Sequence, residues 1–87
     1  WYQPPHDDAE EALSSALGAA RAQVLVALRE PAATQELALR LQLTSGAASQ
    51  HLQRLRKAGL VESQRSGYRV YYHLTERGQR LLSLFAG

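Results

Sequence analysis

From Thr44 to Gly59 the chain reads TSGAASQHLQRLRKAG. As a helix, its apolar residues Ala48, Leu52 and Leu55 recur at i, i+4 and i+7 and make one buried stripe. The remaining surface carries Ser45, Gly46, Ser49, Gln50, Gln53, Arg54 and Lys57, and no acid. A solvated helix face is ordinarily laced with Glu–Lys pairs, so this one asks for another account. Its start is short-chained, where free backbone N–H groups can approach an anion, its middle carries amides, and its end is basic. Those are the requirements of a polyanion held close to a helix.

Other chemistries lack their residues. The chain has no Cys, which excludes disulfides, thiolate metal sites and Cys nucleophiles together. His6, His51 and His73 form no pair at a ligand spacing such as i, i+4, so no metal site is expected. Ser14, Ser15, Ser49, Ser63, Ser66 and Ser83 all stand outside a G-x-S-x-G turn. There is no Gly-rich phosphate loop and no paired-carboxylate motif. The chain reads as a binding protein rather than an enzyme, without a cofactor.

The charge is divided along the chain. Residues 1–39 hold Arg21 and Arg29 against six acids, a balance of −4, while residues 40–87 hold eight basic groups against Glu62 and Glu76, a balance of +6. Nine of the ten basic residues are Arg, which favours fixed charge and bidentate contacts. A polyanionic partner for the second half alone is the expectation, against the plainer reading of a solvated basic surface. With no apolar run of about 18 residues and no signal-peptide pattern, a soluble, cytoplasmic protein without membrane contact is expected. Opening at Trp1 rather than Met, the chain is expected to be part of a longer one or to lack a disordered start.

These residues need elements to hold them. Residues 1–7, WYQPPHD, read as an extended arm, because two prolines oppose a helix start there. Residues 8–87 read as one domain. Asp8 with Glu11 forms a capping-box pattern, and a first helix follows with Leu13 and Leu17 on its stripe until Gly18. A second helix over 20–29 packs through Val24, Leu25 and Leu28 and ends before Pro31. Thr34 is expected to cap a third, reaching Leu41, and Thr44 to cap the helix quoted above. Only Gln42 and Leu43 separate these two, so they cross steeply as a helix-turn-helix. The period then changes to two: strands over 60–65 and 69–74, with Ser66-Gly67 as the hairpin turn. Thr75 caps a last helix carrying Leu81, Leu82 and Phe85. The fold class is mainly α with a small β-hairpin, in the order α-α-α-α-β-β-α.

The stretches LGAARAQVLVAL, TQELALRLQLTSGAASQHLQRLRKAGLV and RSGYRVYYHLTERG resemble the ArsR/SmtB-type (arsenic-repressor-like) family of bacterial winged helix-turn-helix transcriptional regulators. The resemblance runs from about Leu17 to Leu82, and S-x-H-L-x-x-L-x-x-A-G-L-V followed by a short R-x-G wing is its specific part. It implies a homodimer paired through the first and last helices, with two recognition helices in successive major grooves of double-stranded DNA. The chain is similar, too, to winged-helix domains at the C-terminal end of longer regulators. It departs from the metal-sensing members. Ala38 and Arg40 stand where arsenic sensors have Cys, and TERGQRLLSLFAG has no Asp or His for zinc. Gln42 stands where the helix-helix turn usually has Gly, and Tyr68 stands in the wing where Arg is frequent.

With that resemblance the quoted face reads as a major-groove surface. Thr44, Ser45 and Gly46 start the helix near phosphate. Ser49 and Gln50 are the expected base contacts, Gln53 and Arg54 reach base or backbone, and His51 and Lys57 meet phosphate. Arg65 and Arg69, flanking the wing turn, are expected to grip the minor-groove backbone, with Tyr68 either against a sugar or packed on the turn. Leu13, Leu17, Leu81, Leu84 and Phe85 exceed what one thin domain covers and are the expected dimer interface. The implied function is a sequence-specific repressor on an inverted-repeat operator. A winged helix used for protein contact is the alternative, which would ask for an apolar or acidic recognition helix. The residues define no ligand set for an effector.

Overall fold

The computed structural model describes residues 18–86, with side-chain surroundings as far as Leu84. The expected arm, the expected first helix with Leu13 and Leu17, and the side chain of Phe85 lie outside the described residues. Within them the order is α1 (Ala19–Ala27), α2 (Thr34–Leu41), α3 (Ser45–Lys57), β1 (Val61–Ser66), β2 (Arg69–Leu74) and α4 (Glu76–Ala86). This is the winged-helix arrangement. Among the described residues no helix is long and apolar enough to cross a membrane.

Every described element contributes to one core. Val24, Leu25 and Leu28 of α1 and its C-terminal turn meet Leu37 of α2, Leu52 and Leu55 of α3, Val61 and Leu74 of the hairpin, and Leu82 of α4. Each fully buried leucine contributes on the order of 2 kcal/mol. The apolar stripe Ala48, Leu52, Leu55 is buried as its spacing predicts. That burial fixes which face of α3 remains outside.

The turns explain how so short a chain closes. Gln42 adopts the left-handed conformation, φ 56. Its N–H reaches Leu39 O, and the N–H of Leu43 reaches Ala38 O at 2.8 Å, so α2 ends in a Schellman turn. Thr44 then caps α3, its Oγ1 accepting from Ala47 N at 3.0 Å. The C-terminal end of α3 repeats the device with Gly59 at φ 77: Gly59 N reaches Arg56 O and Leu60 N reaches Leu55 O, both at 3.0 Å. Leu55 and Leu60 are both buried, the apolar pair that accompanies this turn.

Three expected boundaries shift. The α1 helix stops at Ala27 rather than Arg29, because Arg29 N turns to Val26 O in a tighter last turn ahead of Pro31. The α2 N-cap is Ala33 rather than Thr34; the Glu36 carboxylate accepts from Ala33 N at 3.1 Å, so no capping hydroxyl is needed. The hairpin turn is Gly67-Tyr68 rather than Ser66-Gly67. Ser66 pairs with Arg69 in β1, and only Gly67 takes positive φ, the type II′ pattern. Leu60 belongs to the turn after α3 and not to a strand. Ala32 also pairs with Tyr72 through two backbone hydrogen bonds, adding a one-residue third strand to the wing.

The start of α4 closes on the end of α3. Arg77 Nη1 donates to Ala58 O at 3.3 Å, Thr75 Oγ1 to Gly59 O at 2.6 Å, and Thr75 N to Leu60 O at 3.0 Å. The same Thr75 hydroxyl accepts from Gly78 N at 3.1 Å as the cap of α4. A Cβ at Gly78 would lie 2.2 Å from the Leu60 carbonyl oxygen, so only glycine permits this approach. Gly78→Ala is expected to destabilise the protein by about 1–3 kcal/mol in urea unfolding, through overpacking. Helix propensity alone would make it stabilising by about 1 kcal/mol. A stabilised variant would show that the two helices do not meet this closely.

Candidate nucleic-acid interface

Burial of the Ala48–Leu52–Leu55 stripe turns Ser45, Gly46, Gln50, Gln53, Arg54 and Lys57 outward, all of them exposed, with Thr44 exposed at the cap. Ser49 is half-buried at the edge of that face. The α3 helix carries no acid, and Arg54, Arg56 and Lys57 occupy its last turn. Part of that basic charge complements the helix dipole, which would hold equally for a purely structural helix. The dipole explains nothing about the amides and short side chains at the other end.

Arg56 is exposed and belongs to this surface, although the sequence reading passed over it. It stands seven residues after Ser49, two helical turns on the same side, and that spacing was the available signal. His51 is half-buried, and its Nδ1 is buried with no hydrogen-bond partner among the described residues. Nε2 is therefore the ring nitrogen left for an outside acceptor. His73 is half-buried on the wing rather than simply on its surface: Nδ1 lies 3.1 Å from Leu74 O and Nε2 3.5 Å from Glu62 Oε1. Among the described residues no group of three or more His, Cys, Asp or Glu is placed to hold a metal ion.

The wing separates the two arginines expected to act together. Arg65 pairs with Val70 and Ser66 with Arg69, so Arg65 and Arg69 project from opposite faces of the hairpin. Arg65 is exposed. Arg69 is engaged: its Nη2 lies 3.1 Å from Glu36 Oε1, and its guanidinium sits 5.2 Å from the centre of the Tyr71 ring. Its side chain is still 58% exposed, which leaves donors for a further acceptor. Tyr68 stands fully exposed at the tip of the wing. Of the expected dimer residues, Leu84 is 80% exposed on α4, whereas Leu81 is half-buried against the core.

A buried three-helix frame, an outward acid-free helix and a braced hairpin define a winged helix-turn-helix of the regulatory type. The chain matches the family described as bacterial regulatory protein, arsR family, over residues 19–63, and it belongs to that family. Among solved structures it is similar to the transcriptional regulator HlyU from Vibrio vulnificus, at 33% identity and a TM-score of 0.69 over 90% of this chain and 85% of that one. It is similar to the oxidised form of MarR from E. coli, at 28% identity and a TM-score of 0.77 over 92% of this chain and 61% of that one. A mutant MarR complexed with operator DNA gives 27% identity, a TM-score of 0.77 and the same coverage. The chain thus spans about three fifths of the length of the MarR structures it matches. No curated protein matches it.

The cap that starts the outward face is open to direct test. Thr44→Ala removes the acceptor for Ala47 N and is expected to cost about 1 kcal/mol in urea unfolding, with Thr44→Ser retaining most of it. Equal stability of all three would mean the hydroxyl does not cap α3.

Proposed function

We propose that this chain is a sequence-specific, double-stranded-DNA-binding repressor that acts as a homodimer on an inverted repeat. The observation that carries the reading is the outward face of α3, free of acids, with its short residues at the N-terminal end and its cations at the other. In the major groove, Thr44, Ser45 and Gly46 lie nearest phosphate, and Ser49 and Gln50 reach base edges. Gln53, Arg54, Arg56, Lys57 and the Nε2 of His51 serve the flanking backbone. Arg65, Tyr68 and Arg69 carry the wing to the adjacent minor groove. The complex of a MarR mutant with operator DNA supports this use of the fold.

The two-fold pairing would run through α4 and the segment preceding α1. The exposed Leu84 supports it, with Leu81 and Phe85 on the same helix and Leu13 and Leu17 upstream. Such a dimer presents two copies of α3 about one helical turn apart, roughly 10 bp.

Binding to duplex DNA is expected to weaken steeply with salt. Arg54→Gln and Lys57→Gln should each flatten the salt dependence by about one unit per phosphate contact removed. Gln50→Ala should instead relax discrimination among sequences, by about 1–3 kcal/mol at one base step. Affinity indifferent to salt would contradict the phosphate contacts. For the dimer, sedimentation should show two-fold association that Leu84→Asp abolishes; a monomer with and without the Asp would assign these leucines to another role.

A further inference from the structure

The brace between wing and helix-turn-helix contains an acid, Glu36, beside a surface otherwise suited to a polyanion. Simple electrostatics would make that acid a liability for DNA binding. Its surroundings say otherwise. Glu36 Oε1 accepts from Ala33 N and from Arg69 Nη2, both at 3.1 Å, so the carboxylate that meets the arginine is also held by the capping contact. On its other side the guanidinium lies against the Tyr71 ring. Both partners of this ion pair are held by a second contact, which lowers the ordering cost that makes most surface pairs weak.

Its position gives the contact leverage. The backbone bridge Ala32–Tyr72 anchors the wing, but Arg69 stands three residues nearer the tip, about 10 Å further along the strand. A free two-stranded hairpin is marginal by itself. From that bridge outward, Glu36–Arg69 is the ion pair that ties the wing to the body among the described residues. Glu36 lies on α2, which packs directly on α3. The contact therefore joins the tip of the wing to the frame of the outward helix.

We infer that Glu36 is a positioning residue for DNA binding: by holding Arg69 it sets the angle of the wing to α3, so that Tyr68 and Arg65 meet the minor groove while α3 occupies the major groove. This rests on the proposed DNA-binding function, and it reverses the sign that charge alone predicts. Removing a negative charge here weakens binding.

Two measurements decide it. Glu36→Gln keeps an oxygen for Ala33 N and removes the charge, so the α2 cap is retained. The chain has no cysteine, so spin labels at Tyr68→Cys and Gln53→Cys report the wing-to-helix distance alone, without DNA. A narrow distance distribution that broadens slightly with Glu36→Gln, whose amide oxygen can still accept from Arg69, and more with Arg69→Gln is expected; a distribution unchanged by both substitutions overturns the brace. On duplexes enriched from a random pool by the unsubstituted protein, Glu36→Gln should lower affinity by at least roughly threefold, and should have no further effect in an Arg69→Gln background. Equal or tighter binding, or an effect that persists without Arg69, overturns the positioning role. If the unsubstituted protein enriches no duplex, the DNA-binding function fails instead, and the distance measurement alone then decides the brace.

Discussion

The end of the outward helix is held by the beginning of the last one, and the remainder of the interface depends on that junction. Ala58, Gly59 and Leu60 offer three successive carbonyls where α3 stops. Arg77 and Thr75 take all three, and Gly78 allows the backbones to approach closely enough. Carbonyls at a helix end need partners when water is excluded. Here the partners come from an element that also carries the exposed Leu84. The C-terminal end of α3 is therefore tied to the start of α4, and a pairing of two copies through α4 would bear on the separation of two α3 helices.

Function follows from what the core leaves outside. Leu52 and Leu55 must be buried, so Gln50, Gln53, Arg54 and Lys57 cannot be. Side chains spaced along one helix acquire a common direction without contacting one another. The wing is different. Successive positions of a strand face opposite ways, and the two-residue turn pairs Arg69 with Ser66, so Arg65 points away from the face that carries Arg69 and Tyr71. Among the described residues one arginine of the wing has no acidic partner, and the other is shared with Glu36. Charge in the wing is thus partly structural, while charge on α3 is open.

Local signals were legible in the sequence. The caps Thr44 and Thr75, the buried stripe of α3 and the order of the elements all depend on residues a few positions apart, and periodicity reports them directly. The shifted boundaries have the same origin in reverse. Thr34 resembles a cap, but a carboxylate two residues further along caps Ala33 instead. Ser66 resembles a turn residue, but it can pair across the hairpin while Gly67 alone must take positive φ. What stayed hidden were contacts between distant positions. Glu36 meets Arg69 across 33 residues and Arg77 meets Ala58 across 19. No spacing rule announces either one, because the fold itself makes them neighbours.

In the proposed complex α3 and the wing meet two adjacent grooves of one duplex as a single unit. Methylation protection by dimethyl sulfate reads both grooves at once, since guanine N7 lies in the major groove and adenine N3 in the minor groove. On a duplex enriched by the protein, two blocks of N7 protection are expected about one helical turn apart, roughly 10 bp. Each block should be flanked by protected adenine N3 where the wing lies. Guanine N7 left reactive throughout the bound site would contradict it.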